Sequence, residues 1–149
     1  MSAQERLVKR AALFFVALAV LAGAYAFWFR PQGQDDAAAP AAGAALAAVN
    51  LPDSLSENGR IGERLFQAKC VICHGENAAG RQGVAPPLIH KIYEPSHHAD
   101  EAFHRAVTLG VQAHHWPFGD MPPVEGLSRG DVTMIVAYVR EIQAVNGIR

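Results

Sequence analysis

Both cysteines of the chain fall in one pentad, Cys70-Val71-Ile72-Cys73-His74. The spacing Cys-x-x-Cys-His is the attachment signature of c-type haem. Two thiols add across the two haem vinyl groups, and the adjacent imidazole takes one axial position on iron. Two intervening residues let a single helical turn present both sulfurs and the histidine to one porphyrin edge. Other chemistries fit the pentad less well. A structural disulfide or a thioredoxin-like redox pair has no need of the following histidine, and the thioredoxin case wants a βαβ surround that the sequence lacks. A zinc site would need two more ligands at matching spacing, and there is no second cysteine pair.

The elements that must position this pentad lie between about Asp53 and Arg149, a stretch with the composition of one compact domain. Its periodic segments are helical, with no alternating strand pattern, so the fold class is all-α. A first helix is predicted over Glu57 to Lys69, with Ile61, Leu65 and Phe66 on one face. Gly62 sits in its middle, where glycine costs up to about 1 kcal/mol against alanine, which close approach of another helix would justify. A second is predicted from Asp100 to Leu109, with acids at its positive end and Gly110 as its stop. The last starts after Ser128, with Asp131 as a weak capping-box partner. Val132, Ile135, Val136, Val139 and Ile142 keep the period until Asn146-Gly147 ends it. Between these helices run two long irregular stretches rich in Gly and Pro, residues 75–95 and 111–127. Loops this long in so small a domain are usually wrapped around something, and a haem would also enlarge a marginal core.

The N-terminal third is different. Residues 1–10 are polar and carry Arg6, Lys9 and Arg10, and residues 11–29 are apolar or glycine throughout. That run spans roughly 28 Å as a helix, close to the hydrocarbon thickness of a bilayer. Tyr25, Phe27, Trp28 and Phe29 would form an interfacial belt, and the basic flank would keep the N-terminus cytoplasmic. The expectation is therefore a single-pass transmembrane signal anchor in the inner membrane, with the following domain periplasmic. The alternative is a signal peptide cleaved near Ala24-Tyr25-Ala26, leaving a soluble periplasmic protein. Residues 30–52 are rich in Ala with scattered Gly and Pro, and read as a linker before the domain at 53–149. The net charge of −1 gives no basic excess, which excludes nucleic acid as an expected partner.

Taken in order, these motifs resemble the monohaem class I cytochrome c family over roughly Asn58 to Ile142. They are the helix with Gly62 and Phe66, the pentad, Ala85-Pro86-Pro87-Leu88, Gly119-Asp120-Met121-Pro122-Pro123, and a terminal helix bearing Tyr138. The resemblance implies three to five short helices wrapped round one haem c, held by thioethers from Cys70 and Cys73. It implies His74 and Met121 as the axial ligands of the iron. The Pro86 carbonyl would accept the proximal imidazole N–H, which fixes the tautomer and raises its basicity. Leu88 and Trp116 would line the haem pocket, and the first and last helices would cross near contact at Gly62, Phe66 and Tyr138. A thioether ligand favours the ferrous state and raises the reduction potential.

Six of the seven histidines lie after the pentad: His90, His97, His98, His104, His114 and His115. Three readings stay open for the run from His97 to His115: solvated loop histidines, a distal ligand in place of Met121, or a second metal site.

Two protein ligands on iron leave no open position, so no small-molecule substrate at iron is expected, and the chain is not expected to be an enzyme. The resemblance implies one-electron transfer between respiratory or periplasmic redox proteins. Two alternatives remain: a fixed haem subunit of a membrane-associated oxidase, dehydrogenase or metal-handling complex, and a haem sensor or enzyme with a labile Met121 bond.

Overall fold

The computed structural model describes residues 3–28 and 41–149, which fall in two separate units. In the first, α1 (Ala3–Trp28) is one continuous helix. It corrects the expected anchor: among the described residues no helix is long and apolar enough to cross a membrane. The single-pass inner-membrane localisation drawn from that anchor falls with it. Phe29 lies outside the described residues, as does the first half of the expected linker.

From residue 41 onward the stretch read as linker lies along the domain. The Leu46 and Ala47 amides both donate to the Ala79 carbonyl at 3.0 Å, and the Gln82 amide donates to the Ala44 carbonyl at 2.8 Å. Asn146 clamps Asn50 from both sides, accepting its N–H at 2.9 Å and donating to its carbonyl at 2.8 Å. Small side chains let this backbone come close enough to bond.

The second unit is all-helical, and its described residues contain isolated β-bridges but no strand. α2 (Glu57–Lys69) begins at Ser56, whose hydroxyl accepts the Gly59 N–H at 3.0 Å. α3 (Val71–His74) is a single turn that follows after Cys70. A 3₁₀ turn at Glu76–Ala78 and another at Lys91–Tyr93 punctuate the first long loop. α4 (Asp100–Leu109) ends at Gly110, and α5 (Arg129–Val145) opens with a complete capping box between Ser128 and Asp131.

The crossing of α2 on α5 organises the core. A Cβ on Gly62 would stand 1.9 Å from the Met134 carbonyl oxygen and 2.9 Å from Tyr138 Cβ, so only glycine allows this approach. One turn later Phe66 and Tyr138 pack with ring centroids 5.5 Å apart. Both are buried with Ile135, Val139, Ile142, Ala78 and Ile89.

Two polar side chains of α5 fasten the loops to this core. Gln143 is fully buried, and its Nε2 donates to the Leu88 carbonyl at 2.8 Å and the Tyr93 carbonyl at 3.2 Å. Arg140 donates to Asp100 at 2.8 Å, to the Tyr93 carbonyl at 2.7 Å and to the His98 carbonyl at 2.5 Å. Its guanidinium lies 5.0 Å from the centre of the Phe103 ring. One arginine thus joins α4, α5 and the loop between α3 and α4.

Candidate haem site

The pentad sits where α2 gives way to α3. The Cys70 amide ends α2 by donating to the Phe66 carbonyl at 2.8 Å, and the Cys70 carbonyl then accepts from Cys73 at 3.1 Å and His74 at 2.9 Å. Cys70 and Cys73 therefore bracket one helical turn. Both are free thiols, Cys70 half-buried and Cys73 exposed. Burial, with Cys73 beside it, pushes the Cys70 thiol up to about 11. A disulfide-exchange nucleophile needs the opposite shift, so the pair is poorly suited to thioredoxin-like chemistry.

After His74 the chain turns through Gly75, where φ is +71° and a Cβ would stand 2.7 Å from the Gly80 carbonyl oxygen. The loop folds back so that the Gly80 amide donates to the His74 carbonyl at 2.7 Å. Arg81 bridges to Ala85 and its guanidinium donates to the Ile72 carbonyl, tying the loop to the pentad from outside. This return places the Pro86 carbonyl oxygen 2.9 Å from His74 Nδ1. A carbonyl only accepts, so Nδ1 carries the proton and Nε2 presents its lone pair. Burial lowers the His74 pKa and the Pro86 bond only partly offsets it, so the ring is neutral, as a metal ligand must be. Leu88 follows, its amide donating to the Ala78 carbonyl at 2.9 Å.

Met121 is presented from the other long loop. Val111 and Met121 exchange both backbone hydrogen bonds, each 2.9 Å, which clips the loop shut directly after α4. At Gly110, where φ is +75°, a Cβ would stand 2.5 Å from the Met121 carbonyl oxygen. Pro122 and Pro123 then stiffen the exit. Trp116 lies within the clipped loop, stacked on Phe118 with centroids 5.8 Å apart and edge-on to His90 at 5.1 Å. Its buried indole N–H reaches the Tyr93 phenol in a contact too loose for a well-formed hydrogen bond.

The structure thus brings Cys70, Cys73, His74 and Pro86 into one cluster and sets Met121 and Trp116 on a separate, clipped loop. Sequence reasoning missed Arg81, Arg140 and Gln143. Gln143 did leave a signal, a polar residue four positions after Val139 on the apolar period of α5.

A family model described as Cytochrome c matches residues 60–143, more than half of the chain. The chain belongs to the cytochrome c family. No curated protein and no solved structure matches it significantly. Membership implies a c-type haem and a general role in haem-based electron transfer, that of an electron carrier rather than an enzyme. The residues present fit such a group. They offer two free thiols one turn apart, an imidazole with a fixed lone pair, and a thioether.

Proposed function

We propose that this chain carries single electrons between redox protein partners, and that Cys70, Cys73, His74 and Met121 are the residues that would hold one covalently attached haem. The observation that carries the reading is the 2.9 Å contact between His74 Nδ1 and the Pro86 carbonyl, which leaves Nε2 as the donor atom. Haem, when bound, supplies the one-electron iron couple. The protein's own residues do the rest. Cys70 and Cys73 would hold the group through thioethers, which would keep it with the chain through many turnovers. The Pro86 carbonyl fixes the His74 tautomer and makes the imidazole a stronger donor. The clip at Val111 and Met121 holds the thioether against exchange, and a soft sulfur donor raises the reduction potential. Leu88 and Trp116 would wall the group off from water.

Covalent attachment is tested by a pyridine haemochrome spectrum of protein washed with acidified organic solvent. Haem should stay with the chain, and Cys70→Ala or Cys73→Ala should change the spectrum. Closure of the site is tested with carbon monoxide. The reduced wild type should not bind it within seconds at neutral pH, and Met121→Ala should. Rapid binding by the wild type would reject the electron-carrier reading in favour of a sensor or enzyme with an open iron.

A further inference from the structure

His97, His98 and His115 have no part in the site above, yet they meet. One ligand atom from each lies within 4.8 Å of the others. His97 Nε2 and His115 Nε2 are 3.4 Å apart. Two nitrogens bound to one ion at about 2.05 Å stand about 2.9 Å apart at a right angle and about 3.35 Å apart at the tetrahedral angle, so a small side-chain adjustment brings this pair to the spacing of a shared ligand set. The 3.4 Å separation is long for a hydrogen bond between two rings.

His98 supplies a second observation. Its Nδ1 lies 2.6 Å from the Ile92 carbonyl oxygen, so Nδ1 must donate and Nε2 is left with its lone pair. Metal-bound histidines almost always place a carbonyl or carboxylate on their other nitrogen in this way. His114 is held alike, its Nδ1 donating to the Gln112 carbonyl at 2.7 Å, and its ring stands 4.3 Å from that of His115. Both supports of the cluster are built. Arg140 grips the His98 carbonyl from α5, and the Val111–Met121 clip closes the loop that carries His115.

The three donors are imidazoles, with no carboxylate or thiolate among them. That set rejects magnesium and calcium, which take oxygen ligands, and selects the borderline divalent ions, of which copper binds most tightly. We propose that His97, His98 and His115 form a binding site for one Cu(II) ion, exposed to solvent on its remaining side.

The test uses the full-length, haem-loaded protein equilibrated with copper sulfate, desalted, and assayed for copper and iron by atomic emission. One copper per iron is expected, with nitrogen hyperfine structure from imidazoles in the electron paramagnetic resonance spectrum. His97→Ala and His115→Ala remove exposed side chains and should leave the haem spectrum unchanged. Each should weaken copper binding by more than about 100-fold, beyond the usual effect of losing an outer partner. His90→Asn, outside the group, should retain copper. The proposal is overturned if His97→Ala and His115→Ala keep one copper per iron, or if His90→Asn loses as much as they do. Tighter binding of zinc than of copper at these residues would overturn the choice of ion.

Discussion

Tyr138 is buried to 1% exposure at the α2–α5 crossing, yet its hydroxyl has no hydrogen-bond partner among the described residues. Burial, followed by the nearby charges of Glu63 and Glu76, pushes its phenol up to about 12, so it stays neutral at any ordinary pH. A buried hydroxyl without a partner costs about 1–3 kcal/mol on the scale of protein mutational data. The ring, by contrast, contributes through its packing on Phe66. Tyr138→Phe should therefore be as stable as the wild type or more stable by about 1 kcal/mol in denaturant unfolding. A loss of that size instead would mean that the hydroxyl has a partner in the haem-loaded protein.

Among the elements, the contact of α2 with α5 is the least forgiving. Gly62→Ala puts a methyl 1.9 Å from a backbone oxygen, which no rotamer change relieves, so the two helices must separate. The expected loss exceeds about 3 kcal/mol, at the severe end for one added carbon, and shows as a lower denaturant midpoint or no folded protein. A result within about 1 kcal/mol of wild type would contradict the crossing geometry. This contact was legible in the sequence because glycine weakens a helix from within, and close approach of another backbone offsets that loss. The bounds of α4 and the capping of α5 were legible as well, since Gly110, Ser128 and Asn146 are local signals. The loops were not. What fixes them is Arg140 and Gln143 reaching carbonyls 42 to 55 residues away, and backbone partners so distant leave no mark on periodicity. A second metal site was one open reading of the run from His97 to His115, but which of its histidines meet was not legible, being set by two loops rather than by one helix face. The pentad with His74 could be read because its chemistry is confined to one turn. The partnership of Arg81 with the Ile72 carbonyl, nine residues away through an irregular loop, could not.

At the scale of the whole molecule, stability should fall off on the acid side, and the start of α5 sets part of that limb. Hydrogen bonds from the Ser128 hydroxyl and backbone hold the Asp131 carboxyl below the usual carboxylate range. The hydrogen bond from Arg129, and then its charge, do the same for Glu101, joining α4 to α5 at 2.7 Å. Carboxyls with depressed folded pKa values contribute stability that is present above their unfolded pKa and is lost as pH falls through the folded one. The wild-type denaturant midpoint should thus drop below about pH 4. Asp131→Asn should lower the midpoint at neutral pH and make the acid decline shallower, so that the two proteins converge in acid. Parallel curves for the two proteins would show that Asp131 does not contribute to the acid limb.

The clip between Val111 and Met121 has a further consequence for how such a chain can diverge. The segment it encloses leaves and rejoins the fold at one point, by two hydrogen bonds, while the α2–α5 crossing lies elsewhere. Doubling the length of a closed loop costs only about 0.6 kcal/mol in closure entropy. The segment's length is therefore tolerant of change, but Trp116 on His90 and His115 on His97 and His98 tie its middle back to the first long loop, so an altered segment would have to keep those contacts.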